Sequence, residues 1–306
     1  MAPPYGIIAN SLRRGHVVPF LGAGASFVGR PAEAKWDPKN PTFLPSGGEL
    51  AEFLASQAQY PSDDIYDRQD LSKVCSYFVD FGGRPALRAT LRDLLNREHP
   101  NGYGELHKFL ANIPTPLVIV VTNYDTLLER AFDAVGKPYD RIIYSAERKE
   151  HFNSILWWPS GTPEPLPRLP NELDQDVDLE RLQNTLIFKM HGTIARNAQQ
   201  WDNFVITEED YVEFLSRMTT STAVPAMFFR YFRERNFLFL GYSLRDWNLR
   251  VVLRNLRLQI PYDEALPSWA IQFRPSQVDQ TLWTQRHVQI YDLTVDDFVA
   301  KLQEFW

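Results

Sequence analysis

Five mostly apolar residues, VVPFL at positions 17–21, run directly into Gly22-Ala23-Gly24-Ala25-Ser26. A short apolar run of this kind is typical of a strand that is buried on both faces, as in a parallel sheet. Glycines at the carboxyl end of such a strand let the backbone turn tightly and approach a ligand closely. The segment therefore predicts an α/β protein whose first strand ends in a tight turn.

Further short apolar runs follow along the chain, each with a polar break behind it. They are LVIVV (117–121), LIFKM (186–190), FLFL (237–240), WAIQF (269–273) and VQIYDL (288–293). Amphipathic stretches at helical spacing separate them, for example Leu87, Leu91 and Leu94. This alternation predicts a Rossmann-like α/β fold with a doubly wound parallel sheet.

Two segments interrupt the alternation. Residues 49–112 show helical patterns without a strand, and residues 145–184 are rich in proline and acidic residues. We expect one domain over residues 1–306, with a core at approximately 1–30, 113–144 and 185–306. A helical insertion would occupy approximately 46–112, and an exposed loop insertion approximately 145–184. Four prolines within 29–48 predict a long loop, of the kind that often forms a lid.

Composition narrows the class of protein. The 306 residues are 44% apolar and 23% charged with a formal net charge of −6, so no chain-wide basic field exists for nucleic acid. The single cysteine, Cys75, excludes an internal disulfide framework and a zinc site of two or four cysteines. No apolar run reaches about 18 residues, and the N-terminus lacks a signal-peptide core. We expect a cytoplasmic protein.

The glycine turn has two interpretations. In the first, Gly22 and Gly24 let backbone N–H groups bind a pyrophosphate. In the second, they only make a tight turn between a strand and a helix, without a ligand. The dehydrogenase fingerprint fails because Phe27 occupies the position of its third glycine, and no acidic strand end follows about 20 residues later. The absence of a GKS or GKT sequence excludes a P-loop.

Polar residues follow three further predicted strands. They are Thr122-Asn123-Tyr124-Asp125, His191-Gly192-Thr193 and Gly241-Tyr242-Ser243-Leu244. Carboxyl ends of parallel strands share one crevice, so these groups would meet around a single ligand. Each also has a structural alternative. Thr122, Asn123 or Ser243 would cap the next helix, and His191 would be a buried histidine with satisfied hydrogen bonds.

GAGAS, TNYD, KMHGT and GYSL, in this order, resemble the motifs of the sirtuin catalytic core over roughly residues 15–260. The chain is most similar to the sirtuin-like domains of bacterial anti-phage defence, which are NAD glycohydrolases that deplete cellular NAD. The resemblance implies a Rossmann-like domain that cleaves the nicotinamide–ribose bond of NAD, as the effector of an abortive-infection system. NAD would be the substrate, and no metal would be required.

The resemblance also implies roles for individual residues. Asn123, His191 and Asp125 would be catalytic, with His191 as the general base and Asn123 and Asp125 beside the nicotinamide ribose. The residues that would bind the dinucleotide are Gly22, Ala23, Gly24 and Ser26 at the phosphates, Gly241 and Ser243 at the adenosine half, and also Thr122 and Tyr124.

Two departures from the sirtuin pattern bear on the reaction. Cys75 alone cannot form the four-cysteine zinc module of deacetylating sirtuins, and the Gly-Ile-Pro-x-Phe-Arg stretch after the glycine turn is replaced by the proline-rich loop. An NAD-dependent protein deacylase is therefore an alternative with less support. A non-catalytic module that senses NAD or ADP-ribose is another.

The residue types suit hydrolysis at the ribose. Nicotinamide leaves NAD without a proton donor, and an oxocarbenium-like ribose remains to be stabilised and intercepted. Asn123 would orient water or ribose hydroxyls, and His191, with an ordinary pKa near 6.5, would accept a proton. Asp125 would stabilise positive charge or hold Asn123.

The activity of such an enzyme has to be controlled by assembly, by a ligand or by a partner protein. Unregulated NAD cleavage would kill the host, so we expect a homo-oligomer gated by assembly, ligand or partner. The resemblance implies a partner protein, either a HerA-type hexameric ATPase or a short Argonaute.

Overall fold

A computed structural model describes residues 2–31, 33–98, 102–145, 153–219, 223–242 and 266–306. These residues form a nine-stranded sheet and a separate two-stranded ribbon. The strands are β1 (Val17–Leu21), β2 (Val118–Val121), β3 (Tyr139–Tyr144), β4 (Ile155–Trp158), β5 (Leu166–Arg168), β6 (Thr185–Lys189), β7 (Gly192–Thr193), β8 (Asn203–Phe204), β9 (Asn236–Leu240), β10 (Ser268–Gln272) and β11 (Val288–Asp292).

The helices of the described residues lie mostly between these strands. They are α1 (Tyr5–Arg13), α2 (Gly47–Gln57), α3 (Ile65–Arg68), α4 (Leu71–Gly82), α5 (Arg84–Leu95), α6 (Glu105–Asn112), α7 (Leu127–Ala134), α8 (Glu208–Thr219), α9 (Ala226–Arg233), α10 (Gln277–Thr284) and α11 (Val295–Gln303). None of the helices in the described ranges has the length and apolar character that a membrane-spanning segment needs.

The strand order of the large sheet is β11-β10-β9-β1-β2-β6-β3-β4-β5. The seven strands from β11 to β3 run parallel, and β4 and β5 continue the sheet in antiparallel pairing. Two large apolar clusters cover its two faces, because alternate residues of each strand point to opposite sides. The predicted doubly wound Rossmann-like fold is confirmed.

Strand β1 lies at the topological switch point of the sheet. The chain first fills the side of β1 that holds β2, β3 and β6, with β6 inserted between β2 and β3. It later places β9, β10 and β11 on the other side. In an open α/β sheet a ligand crevice forms at such a point, outside the carboxyl ends of the strands. The glycine turn after β1 occupies this position.

The helices between β1 and β2 fall into two groups. Helices α2, α4 and α5 build a cluster of their own around Leu54, Val74 and Leu91. This cluster packs against Phe204 of β8 and against Ile194, the residue that follows β7. Helix α6 packs instead on the sheet, with α7 and α11 as neighbours. The stretch expected to form one helical insertion at 46–112 therefore contributes its last helix to a core layer.

The segment at 145–184 also differs from the expected exposed loop. Residues 155–158 and 166–168 are the antiparallel edge strands β4 and β5, and Ile155 and Leu156 are fully buried. Prolines at 159, 163, 165 and 167 follow this short apolar stretch and obscure it in the sequence. Pro167 itself lies in the edge strand β5, where proline is tolerated.

The described residues of the loop at 27–46 form no regular helix or strand, as its prolines predicted, but one carboxylate holds the loop in place. Glu49 of α2 accepts hydrogen bonds from both terminal nitrogens of Arg30, at 2.7 Å each, and from the backbone N–H groups of Trp36 and Ser46. Burial would raise the pKa of Glu49, but these hydrogen bonds lower it to about 2. The loop is therefore clamped to α2 at three points.

We expect Glu49→Ala to release this loop, because the substitution removes every one of those acceptor contacts. Limited trypsin digestion should then cut at the exposed residues Lys35 and Lys39 several times faster than in the wild type. Glu52→Ala is the matched control. Glu52 lies in α2, like Glu49, but its ionic partner is Arg68 of α3 and not a residue of the loop. Equal digestion of the Glu49→Ala variant and the wild type would contradict the clamp.

Candidate active site

Two adjoining cavities lie along the carboxyl edge of the parallel strands. The near compartment, of about 210 Å³, follows β1, β2 and β6, and its lining includes Asn123, Asp125 and His191. The far compartment, of about 650 Å³, follows β1, β9, β10 and β11, and its lining includes Gly241 and Gln272. Ala23, Ser46 and Tyr242 line both. The cleft is elongated, with the glycine turn at its middle.

The glycines of the turn allow two stretches of backbone to touch. A Cβ atom at Gly22 would lie 2.7 Å from the Cα of Tyr242, and one at Gly24 would lie 2.8 Å from the carbonyl oxygen of Gly241. The N–H of Gly24 donates to that same oxygen at 2.7 Å. The turns after β1 and β9 are thus packed directly on each other, and the role of the glycines in binding phosphates stays a prediction.

A chain of hydrogen bonds joins the glycine turn to the end of β2. The Nδ2 of Asn123 donates to the carbonyl of Gly22 at 2.8 Å and to Oγ of Ser26 at 2.7 Å. Ser26 in turn donates to Oδ2 of Asp125 at 2.6 Å. Because a carbonyl only accepts, these contacts fix which end of the Asn123 amide is nitrogen. Oδ1 of Asn123 is left to accept from a ligand or water.

Asp125 is buried, and both of its carboxylate oxygens are used. Oδ1 accepts from the backbone N–H of Leu127, the first residue of α7, at 3.0 Å. Thr122 instead donates its hydroxyl to the carbonyl of Leu21 at 3.2 Å. The N–H at the start of α7 is therefore satisfied by Asp125. Thr122 and Asn123 do not cap this helix, which was the structural alternative for them.

His191 lies between aromatic rings at the wall of the near compartment. Its side chain is 4% exposed, and it meets the rings of Tyr211 and Phe214 edge-on, with centroids 5.6 and 5.4 Å away. Tyr124 donates its hydroxyl to the carbonyl of Val205 at 2.7 Å, and the N–H of Val205 donates to the His191 carbonyl. These contacts fix the histidine beside the cavity, which suits a buried base as well as a structural histidine.

Burial raises the pKa of Tyr124 well above its ordinary value. Its hydroxyl therefore stays protonated at neutral pH and acts as a donor. Tyr124 contributes to the near compartment as a wall and a support, since that donor is already bonded to Val205.

The structure brings together most of the predicted site residues. Those lining the near compartment are Gly22, Ala23, Ser26, Thr122, Asn123, Tyr124, Asp125 and His191, and Gly24 and Gly241 line the far compartment. Ser243 and the predicted helix after it lie outside the described residues. Among the residues that are described, no group of three or more His, Cys, Asp or Glu side chains is arranged to hold a metal ion.

Two functional candidates were missed in the sequence. Arg30 lines the far compartment, and Lys189 is fully buried at the end of β6, with its Nζ 2.6 Å from the carbonyl oxygen of Asp125. One sequence feature could have identified Lys189: it is the charged residue within the otherwise apolar run LIFKM, which predicts a buried strand. No pattern distinguished Arg30 from other loop residues, because its importance comes from where the loop folds.

Comparisons with known proteins point to one family. A family model described as SIR2-like domain matches residues 117–291. The chain is 27% identical over 206 residues to the NAD(+) hydrolase ThsA of Acinetobacter baumannii (strain 532279), covering 66% of this chain and 34% of that protein. It is 24% identical over 201 residues to the NAD(+) hydrolase ThsA of Cytobacillus dafuensis, covering 65% and 33%. The matched part is about a third of the length of each relative.

We expect Gly241→Ala to destabilise the protein far more than Gly136→Ala. Both glycines have positive φ, +62° and +65°, so each alanine pays about 1 kcal/mol for a left-handed conformation. At Gly241 the new Cβ would also lie 2.2 Å from the backbone nitrogen of Ala25, whereas nothing lies within 4 Å at Gly136. Urea unfolding should show a loss of about 3 kcal/mol or more for Gly241→Ala. Equal losses would refute the close contact.

Proposed function

The chain belongs to the SIR2-like family, and from that premise we propose that it is an NAD⁺ glycohydrolase acting in prokaryotic anti-phage defence. It would release nicotinamide and ADP-ribose and so deplete the NAD⁺ of an infected cell. The relatives named NAD(+) hydrolase support this reaction class. The observation that carries the proposal is that Asn123 and His191, 68 positions apart, line one cavity beside the glycine turn.

The shape of the cleft supports a dinucleotide substrate. Typical small-molecule sites measure about 300–1,000 Å³, so the near compartment alone is small for a whole dinucleotide. It has room for the nicotinamide ribose, while the far compartment takes the adenosine half. The pyrophosphate between them would then lie at the glycine turn, whose residue Ala23 faces both compartments.

The reaction needs one water molecule and one base. The C1′–N bond breaks with its electron pair moving to the nicotinamide nitrogen, which becomes neutral, and C1′ becomes oxocarbenium-like. The oxygen of water then bonds to C1′, and His191 accepts the proton that this water loses and passes it to solvent. The products are nicotinamide, ADP-ribose and one proton.

Asn123 has a defined part in this reaction. Its two amide hydrogens are held by Gly22 and Ser26, so the carboxamide cannot rotate without losing two hydrogen bonds. Oδ1 is thereby preorganised to accept from a ribose hydroxyl or from the attacking water. Its partial negative charge also favours the developing positive charge of the ribose.

Arg30 is the cationic side chain that the described lining residues offer to the pyrophosphate. Three of its five N–H groups donate to Glu49 and to the carbonyl of Ala34. The remaining two donors suit phosphate oxygens, which guanidinium groups bind in charge-assisted hydrogen bonds. Glu49 would hold the guanidinium in a fixed orientation for this contact.

Control of the activity is proposed to depend on assembly. An enzyme that consumes NAD⁺ must be silent in an uninfected cell, so we infer a homo-oligomer and a partner protein that reports infection, with a HerA-type ATPase or a short Argonaute as candidates. Size-exclusion chromatography with mass detection, alone and with each candidate, tests this. A monomer that cleaves NAD⁺ at full rate without any partner would contradict it.

We expect Asn123→Ala and His191→Ala each to lower nicotinamide release by about 100-fold or more, because each removes a group that acts on the reacting atoms. The assay follows nicotinamide and ADP-ribose by chromatography after the assembled protein is incubated with NAD⁺. His16→Ala is the control, since His16 is exposed and precedes the amino end of β1. Full activity in both Asn123→Ala and His191→Ala would refute the site assignment.

The same assay separates the alternative functions. Binding of NAD⁺ without turnover in the wild type would favour a sensor module, and O-acyl-ADP-ribose formed with an acylated peptide would favour a deacylase.

We expect Arg30→Met to raise the KM for NAD⁺ about tenfold, since about 1.4 kcal/mol of charge-assisted hydrogen bonding is lost. Glu49→Gln is the matched control: it removes the charge opposite Arg30 but keeps the cation and one amide oxygen that still accepts from the guanidinium, so its KM should rise less than that of Arg30→Met. Inhibition by nicotinamide riboside, which has no phosphate, should be equal in both variants. An equal rise of KM in Glu49→Gln would show that Arg30 acts only by holding the loop.

A further inference from the structure

Lys189 carries a charge in one of the least accessible parts of the molecule. Lys189 is 0% exposed, and it lies in β6, which pairs with β2 on one side and with β3 on the other. Moving an ammonium group out of water is costly unless it is paired and hydrogen-bonded. A lysine at this place therefore requires a reason, because an apolar residue of similar length would fit the same apolar strand.

Its ionic partner is Glu129 of α7, which is equally buried. Oε1 of Glu129 lies 3.5 Å from Nζ of Lys189, and the two side chains are 0% and 4% exposed. Both carboxylate oxygens of Glu129 have no hydrogen-bond partner among the described residues. Buried pairs with incomplete hydrogen bonding are commonly no more stabilising than apolar residues of the same volume. The pair is thus a poor device for stability alone.

The position of Lys189 suggests what the pair does. Lys189 is two residues before His191, and its hydrogen bond goes to the carbonyl of Asp125, two residues after Asn123. The ammonium group therefore connects the two strand ends that carry the proposed base and the proposed amide. Backbone hydrogen bonds from Met190 to Val121 and from Ile194 to Tyr124 join the same two strand ends.

His107 is the neighbouring histidine to consider. It is 3% exposed, and its Nδ1 accepts from the N–H of Gly104 at 3.2 Å. Burial lowers the pKa of His107 to about 4; the charge of Asp125 opposes this shift, and that of Lys189 adds to it. His107 is therefore uncharged at neutral pH and does not replace the positive charge of Lys189 beside Asp125.

We propose that Lys189, oriented by Glu129, is a positioning residue that fixes the distance between Asn123 and His191. This inference rests on the proposed NAD⁺ glycohydrolase function. Lys189 lines neither compartment; it holds the Asp125 carbonyl, and through Asp125 and Ser26 the amide of Asn123. Loss of the ammonium would leave the cavity in place but let the two strand ends move apart, and small misplacements of reacting groups slow chemistry strongly.

The decisive variant is Lys189→Met with Glu129→Gln. The double change removes both charges together and so avoids leaving one buried charge unpaired. It should fold, with a far-UV spectrum like that of the wild type, and bind NAD⁺ with a KM within about twofold. Its kcat should fall on the order of 100-fold. Glu129→Gln alone keeps the bond from Lys189 to Asp125 and should lose less kcat.

Hydrogen–deuterium exchange gives a readout that does not depend on turnover. In the double variant, amides at 122–126 and 190–194 should exchange at least about tenfold faster, while those of α11 stay unchanged. Wild-type kcat or unchanged exchange in the double variant overturns the proposal. If the double variant does not fold, kcat and amide exchange are measured on Glu129→Gln instead. Wild-type values of both in that variant would overturn the proposal. A wild-type protein that fails to cleave NAD⁺ would refute the proposed function, while the exchange measurements would still test Lys189.

Discussion

The backbone contact between Gly24 and Gly241 determines how the cleft is built. A parallel sheet places strand ends along one edge at intervals of about 4.8 Å, but the turns that follow them usually carry side chains that hold them apart. Here the turns after β1 and β9 meet atom to atom and share a hydrogen bond of 2.7 Å. The contact leaves no space for a Cβ at either residue. It also places the near and far compartments on either side of one shared turn.

The polar side chains of the cleft depend on that turn. Ser26 ends the short helical segment after Gly22, and from there it links Asn123 to Asp125. The two acceptors of the Asn123 amide, Gly22 and Ser26, both belong to the turn after β1, whereas Asn123 follows β2. The orientation of the proposed catalytic amide therefore depends on two neighbouring strands being in register, as the pairing of Leu21 with Val121 shows.

The sequence predicted the parts of this arrangement that come from long apolar runs. The strands now labelled β1, β2, β6, β9, β10 and β11 were visible because their residues are buried on both faces. Strand β3 was not, since its first half carries Asp140 and Arg141 and is only half-buried, and β4 was obscured by the prolines that follow it. The predicted site residues that the structure describes line two adjoining compartments because parallel strand ends lie along one edge of the sheet. The contacts of Arg30 with Glu49 and of Lys189 with Asp125 join residues 19 and 64 positions apart, and no periodicity encodes them.

Asp125 shows how the geometry limits the chemistry. Its carboxylate accepts from Ser26 and from the N–H of Leu127, so both oxygens are occupied and the group is 8% exposed. A carboxylate held in this way is poorly placed to attack C1′, which argues against a covalent glycosyl-enzyme intermediate through this residue. Its charge still acts across the short distance to Asn123, because fields are weakly screened in a buried site. We infer that Asp125 stabilises the positive ribose through its field and through the orientation of Asn123, while water supplies the new bond.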